Sequence, residues 1–406
     1  MPFGIAKIYN MTTKALGFGW NGAGKTMGLA AYGHTVPKID RLNLNREHCL
    51  DLFHDQRDFI KAKTSELRKF FEEEPNHLSE RRINAARETQ EVFVETMLVF
   101  AERAKQVTGS RNLALAGGSA LSCVANRAII ESGLFEQVFI QPAASDEGVA
   151  LGCALLGWHY VAGKSARWRM KDAYLGHPYS ARDIEEAIAS SGCTSTDVTP
   201  AEVAKKIANG EVIGRFAGGS EYGPRALGNR SILADPRDPR MRDRINGTIK
   251  NREMFRPFAP SCLSDKVDHY FSSVTQTPFM LVAADVKSEF RDVLPSITHV
   301  DGSCRPQGVT ESANPGYHAI LEALAKETGH GVVLNTSFNY NDEPICETPH
   351  DALISFLTTK LDGLLMENRL ILPPKDGDAI LAQLTAQRMT RLDLLHKEGV
   401  RRLVGL

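Results

Sequence analysis

The run Gly214-Arg-Phe-Ala-Gly-Gly-Ser-Glu-Tyr-Gly-Pro-Arg-Ala-Leu-Gly-Asn-Arg-Ser-Ile-Leu233 combines bare backbone amides with fixed positive charge. Glycines leave amides open, and the guanidinium groups of Arg215, Arg225 and Arg230 are planar donors that match phosphate oxygens. The lysine followed by Ser or Thr that closes a Walker loop is absent, so the pattern specifies no nucleotide class. Downstream, Asn246, Lys250, Arg252, Arg256 and Arg305 add groups able to neutralise a polyphosphate. Between Arg215 and Arg256 ten Lys/Arg stand against five Asp/Glu, a local +5 in a chain of formal net charge −1. A solvated basic face with turn glycines fits the same residues.

A second group lies upstream. Gly117-Gly118-Ser119 ends an apolar run of strand length, where amides at a helix start could receive a phosphate or ribose. Close strand–helix packing explains a glycine pair equally well. Asp146 and Glu147 follow the next strand, at the sheet edge where ligands of α/β folds gather, or else they cap a helix. The twelve histidines form no His-x-x-x-His or His-x-His pair, and the seven cysteines no Cys-x-x-Cys. No complete metal site, zinc cluster or disulfide framework is therefore written in the chain. Gly-x-Ser-x-Gly is absent too, which leaves a serine hydrolase without support.

The elements that must hold these groups follow from periodicity. Pro2 to Gly33 alternates glycines with short apolar runs, as backbone does when brought close to a neighbour. Arg46 to Gln106 has no glycine, and Val92, Val94, Met97, Leu98 and Ala101 fall at helical spacing. A strand, a glycine turn and a helix ending at Gly133 come next. Gln137 to Pro142 then reads as a strand and Val149 to Val161 as a helix, so both turns open at one sheet edge. After a short basic stretch, 181–190 and 200–209 read as helices and 212–216 as a strand. Strands at 281–285 and 331–335 and helices at 350–358 and 378–395 complete a mixed α/β region.

At 406 residues two domains are expected, 1–165 and 166–406, divided in the polar stretch Gly163–Arg169. No apolar run is long enough to span a bilayer, and Met1 to Tyr9 does not read as a signal peptide, so a cytoplasmic protein is expected.

Six stretches carry a resemblance: Gly24-Lys-Thr-Met-Gly-Leu-Ala-Ala-Tyr-Gly33, Leu115-Ala-Gly-Gly-Ser-Ala-Leu-Ser-Cys-Val-Ala-Asn126, Gln141-Pro-Ala-Ala-Ser-Asp-Glu-Gly-Val-Ala-Leu-Gly152, Gly223-Pro-Arg-Ala-Leu-Gly-Asn-Arg-Ser-Ile-Leu233, Arg252-Glu-Met-Phe-Arg-Pro-Phe-Ala-Pro260 and Leu334-Asn-Thr-Ser-Phe-Asn339. In this order they resemble the nodulation-factor and antibiotic O-carbamoyltransferases, relatives of the hydrogenase-maturation carbamoyltransferase and of tRNA threonylcarbamoyl-forming proteins. The resemblance implies part of an actin/sugar-kinase-like (Kae-like) domain over 1–165, followed by a YrdC-like α/β domain over 166–406. The second domain would make carbamoyl adenylate from carbamoyl phosphate and ATP. The first would pass the carbamoyl group to a hydroxyl of a small-molecule acceptor beside a divalent metal, Fe2+ for the transfer, with Mg2+ accompanying ATP.

The same resemblance assigns roles. Arg225, Arg256 and Arg305 are implied as catalytic. Gly117, Gly118, Ser122, Lys25, Arg230, Lys250 and Asn335 are implied as nucleotide or carbamoyl phosphate contacts, and Asp146 as a metal ligand. Two departures stand out. Ser122 replaces the usual Asn, and the chain reads as lacking an N-terminal lobe that carries a His-x-x-x-His pair. A partner subunit supplying that lobe is therefore expected, and residues 1–163 should expose an apolar, glycine-lined face. The alternatives are a non-catalytic nucleotide-binding subunit and a nucleic-acid-modifying subunit. Nucleic acid is disfavoured because the basic stretch has few aromatic residues on which bases could stack.

Overall fold

The computed structural model describes residues 5–19, 22–34, 65, 69, 76, 78–274, 276–340 and 343–389. Helical expectations for most of 46–75 and for 390–395 lie outside these residues. Two compact units emerge: 1–171 with 253–260 and 264–308, and 172–252 with 261–263 and 309–406. The division after Lys171 lies six residues beyond the expected boundary at 165. The return of 253–260 and 264–308 to the first unit was not anticipated, because no Gly/Pro-rich or polar linker marks it.

In the first unit, α1 (Ile5–Ala15), α2 (Ala23–Ala30), α3 (Glu80–Thr108) and α4 (Cys123–Glu131) surround one apolar core. Leu16, Leu29, Ala86, Phe93, Ile129 and Phe255 are buried there. The glycine-free sequence of α3 lets it run 29 residues until Gly109 adopts a left-handed conformation (φ 61°) and stops it. Of the N-terminal glycines, Gly33 is the one that approaches α3. A Cβ on Gly33 would lie 2.5 Å from the Ile83 carbonyl oxygen, so only glycine fits. Buried polar groups cross-link the bundle: Tyr9 Oη donates to Gln90 Oε1 at 2.9 Å, and Arg82 Nη1 to the Leu16 carbonyl at 2.8 Å.

Strands β1 (Asn112–Leu115) and β2 (Gln137–Ile140) pair in parallel, with Leu115 opposite Ile140. Their following turns consequently leave the same edge, as the sequence implies. After β2, α5 (Val149–Leu156) continues into a one-turn π-helix, Gly157–Val161. This segment is apolar yet none of it is buried, and Tyr160 and Val161 are 82% and 89% exposed. Helices hydrophobic on all sides are ordinarily covered. Val149–Val161 is therefore an exposed apolar segment. A small antiparallel sheet of Phe271–Ser272, Ala284–Val286 and Ser303–Cys304 completes the unit.

The second unit holds most of an eight-stranded sheet. Its strands are β3 (Ser195–Asp197), β4 (Ile213–Phe216), β5 (Arg230–Ala234), β6 (Ala259–Leu263), β7 (Gln307–Val309), β8 (Val332–Ser337), β9 (Gly363–Met366) and β10 (Arg369–Ile371). The order is β7-β6-β8-β5-β4-β9-β10-β3. β4 pairs antiparallel with β5 and parallel with β9, and β5 pairs antiparallel with β8. Among the helices of this unit are α6 (Ala181–Ser191), α7 (Pro200–Ala208), α8 (Pro315–Thr328) and α9 (Pro349–Thr359), and 377–389 is helical as well. Ser180/Asp183, Thr199/Glu202 and Thr348/Asp351 form reciprocal capping boxes that start α6, α7 and α9. Val203, Ile207, Leu233, Tyr317, Leu321 and Val333 pack α7 and α8 against the sheet.

Candidate functional site

The glycine-rich run is the connection between antiparallel neighbours β4 and β5, and its three positive-φ glycines shape it. Gly228 (φ 119°) passes so close to Tyr317 that a Cβ would meet the ring at 2.3 Å. Inside the loop sits Glu221, which sequence reasoning did not select. Its Oε1 accepts the amides of Leu227 at 2.7 Å, Asn229 at 2.8 Å and Arg230 at 3.3 Å. Burial pushes the Glu221 pKa upward, against the pull of the amides and of Arg230.

The loop arginines differ in their commitments. Arg230 is fully buried, stacks 3.7 Å from the centre of the Phe216 ring, and donates to the carbonyls of Ala217, Gly218 and Asn229. Arg215 is also buried and donates to the Gly228 carbonyl at 2.6 Å and to Asn229 Oδ1 at 3.0 Å. Burial lowers the pKa of both. These two hold the loop from within. Arg225 belongs to 222–225, the part of 219–230 that is not buried. Beside it, Asn335 Nδ2 on β8 donates to the Ala226 carbonyl at 3.3 Å and to Ser261 Oγ at 3.0 Å. Lys250 is buried, and its ammonium donates to the carbonyls of Ser337 and Asn339 at 2.7 and 2.9 Å and to Asn339 Oδ1 at 2.5 Å. That ammonium fastens the turn after β8.

In the first unit Glu253 joins two predicted site residues. Lys25 Nζ, on α2, lies 2.6 Å from one carboxylate oxygen, and Arg256 Nη1 lies 3.8 Å from the other. Arg305 follows the strand Ser303–Cys304. It has no ion pair among the described residues, and its Nε is shut off from solvent without an acceptor.

The two upstream turns also meet. The Gly117 amide (φ 92°) donates to the Ala144 carbonyl at 2.6 Å, and a Cβ on Gly118 would lie 3.4 Å from Ser145 Oγ. The glycine pair thus adjoins the turn that leads to Asp146, which is exposed. Ser122 is the N-cap of α4, its Oγ accepting the Ala125 amide at 3.5 Å. Among the described residues no group of three or more His, Cys, Asp or Glu could hold a metal ion. Asp146 has no companion ligands there, so these residues alone do not fit the expected metal.

Two family models match the chain: carbamoyltransferase N-terminus over residues 1–155 and carbamoyltransferase C-terminus over 204–372. The chain belongs to the carbamoyltransferase family. Nodulation protein NolNO of Sinorhizobium fredii is 37% identical over 380 residues, covering 90% of this chain and 55% of that protein. Nodulation protein NolO of Bradyrhizobium diazoefficiens is 43% identical over 270 residues, covering 64% and 49%. Nodulation protein U of Sinorhizobium fredii is 36% identical over 253 residues, covering 61% and 44%. The chain spans about half the length of these carbamoyltransferase-family relatives. A solved structure, full-length HypF in its phosphate- and nucleotide-bound form, aligns over 57% of this chain and 36% of that one, at TM-score 0.34 and 12% identity. That likeness is too low to argue from.

The match corrects one expectation. Residues 1–155 meet the carbamoyltransferase N-terminus model, so the reading of a chain that lacks its N-terminal lobe is not supported. The six motifs carry the resemblance to the carbamoyltransferase family that the two models bear out. They did not show that Arg230 and Lys250 would spend their donors on backbone carbonyls. A signal for Glu221 was available, namely the one carboxylate inside the run 214–233, which holds three arginines.

Proposed function

We propose that this carbamoyltransferase-family chain takes part in ATP-dependent O-carbamoyl transfer to a small molecule. The observation that carries the reading is the ordered match of the chain to the N- and C-terminal carbamoyltransferase models. The second unit, as a YrdC-like domain, forms carbamoyl adenylate from carbamoyl phosphate and ATP. The balance requires inorganic phosphate to leave carbamoyl phosphate with one water consumed, and pyrophosphate to leave ATP. The acceptor hydroxyl then attacks the carbamoyl carbon beside the glycine turns of the first, Kae-like unit, losing its proton as AMP departs.

Arg225 of the second unit, and Arg256 and Arg305 of the first, carry charge suited to phosphate oxygens, and preorganised cations act most strongly on charge that develops in the transition state. Within the second unit Arg230 and Asn335 brace the loop that carries Arg225, and Lys250 fastens the turn after β8. Gly117, Gly118 and Ser122 face the nucleoside. A divalent ion at Asp146, Fe2+ or a substitute, would need further ligands, and no step is routed through it. A partner polypeptide with a His-x-x-x-His pair would provide them and cover the apolar segment Val149–Val161. Among the described residues no helix is long and apolar enough to cross a membrane.

The test is carbamoyl phosphate-dependent exchange of labelled pyrophosphate into ATP, which needs no knowledge of the acceptor. Exchange by the wild-type chain that falls about 100-fold in Arg225→Ala and Arg305→Ala supports the reading. ATP binding without exchange would favour a non-catalytic subunit instead.

A further inference from the structure

Several amides of the glycine-rich loop are already engaged from within the protein. Besides the three on Glu221 Oε1, the Gly228 amide donates to Ser231 Oγ at 2.9 Å and the Gly218 amide to Glu367 Oε1 at 2.7 Å. Burying a carboxylate is costly unless hydrogen bonds compensate it. Here the amides and the nearby Arg230 charge do so for one oxygen, while Glu221 Oε2 stays buried without a partner. An internal anion therefore occupies the place a bound one would take.

The rest of the loop is fixed on both sides of Arg225. The Tyr222 amide donates to the Ala173 carbonyl, and the Gly176 amide to the Ser220 carbonyl. On the other side Asn335 holds the Ala226 carbonyl and Tyr174 Oη the Leu227 carbonyl, the latter at 2.8 Å. The Asn229 side chain closes the arrangement by donating to the Gly219 carbonyl and accepting from Arg215 and Asn314.

We propose that Glu221 is a positioning residue whose carboxylate takes the amides of Leu227, Asn229 and Arg230 and thereby presents Arg225 to the phosphate of the substrate. Phosphate is then met by guanidinium and not by this backbone. The inference rests on the role proposed above for Arg225.

Two variants of the full chain test it. Glu221→Gln keeps an accepting oxygen for the amides, whereas Glu221→Ala keeps none. In Glu221→Ala, amide hydrogen exchange at 227–230 should accelerate about 100-fold, as expected when a local hydrogen-bonded structure opens. The KM for carbamoyl phosphate in the pyrophosphate exchange assay should rise about 10-fold, with the maximal rate less affected. Glu221→Gln should recover most of the amide protection and most of the affinity. Adding the alanine change to Arg225→Ala should worsen it by no more than about 2-fold, since residues that act through one another are not additive.

Unchanged amide protection in Glu221→Ala overturns the proposal, and so do losses that multiply in the double variant. If Glu221→Ala does not fold, Glu221→Gln still decides: a KM rise equal to that of Arg225→Ala with amides fully protected also overturns it. A wild-type chain without exchange activity would count against the proposed function. Glu221 would then be judged by inorganic phosphate alone, which must leave protection of amides 227–230 unchanged.

Discussion

Lys25 Nζ stands 2.6 Å from Glu253 Oε1, joining residues 228 positions apart in the chain. Arg256 lies on the other oxygen at 3.8 Å, so one carboxylate serves two cations from different motifs. Neither contact is deeply buried, and pairs of this kind contribute at most about 1 kcal/mol. Arg256→Ala should therefore leave the melting temperature within about 3 °C of wild type. Its carbamoyl phosphate-dependent pyrophosphate exchange should fall about 100-fold. If Glu253→Gln loses as much activity, Arg256 serves only as its partner.

Lys250 should be a stability residue. Its ammonium is buried against oxygens of Ser337 and Asn339, and truncation strands those oxygens without a donor. Lys250→Met should cost about 3 kcal/mol, read from urea midpoints at constant slope. Lys250→Arg should not restore it, because a planar fork does not fit an ammonium's converging contacts.

Two glycines of the N-terminal motif should respond in opposite directions. Gly33→Ala drives a methyl group to 2.5 Å from a backbone oxygen of α3 and should destabilise by about 2 kcal/mol. Gly24, inside α2, has nothing within 4 Å of its would-be Cβ, so Gly24→Ala should stabilise by about 0.5 kcal/mol through helix propensity. Thermal melts of the pair check both signs.

Acid should weaken the contact between α4 and the strand Ala284–Val286. Arg127 donates to both oxygens of Asp285, at 2.8 and 2.6 Å, and that pairing holds the carboxyl below its usual range although burial pulls the other way. A carboxyl depressed in the folded state gives stability that is full above its unfolded pKa, about 4, and is lost as pH falls through the folded value. Between about pH 6 and pH 3, wild type should lose more melting temperature than Asp285→Asn. Parallel curves for the two proteins would show that the pair contributes nothing.

Helices and turns were legible in the sequence where local chemistry decides them. The expected helices over 181–190, 200–209 and 350–358 appear almost residue for residue, because capping boxes start them and amphipathic spacing carries them on. The turns after β1 and β2 share an edge because parallel pairing demands it. By contrast, no strand was expected at the end of the glycine-rich run, yet Arg230–Ala234 is a fully buried one. Its charged first residue hides that status, since the arginine is satisfied only by carbonyls that the fold brings round. The basic stretch was misleading for the same reason: net charge counts guanidinium groups without showing which ones already have acceptors.

Residues 253–260 and 264–308 return to the first unit from the middle of the second. No single cut in the gene therefore yields two self-sufficient halves. A fragment beginning near residue 172 would carry stretches whose packing partners had been discarded, and its mate would lack pieces of its own interior, Phe255 among them. Chimeras and truncations of this protein must be spliced at several points at once, and a protease nick at the Lys171 junction should leave both products associated.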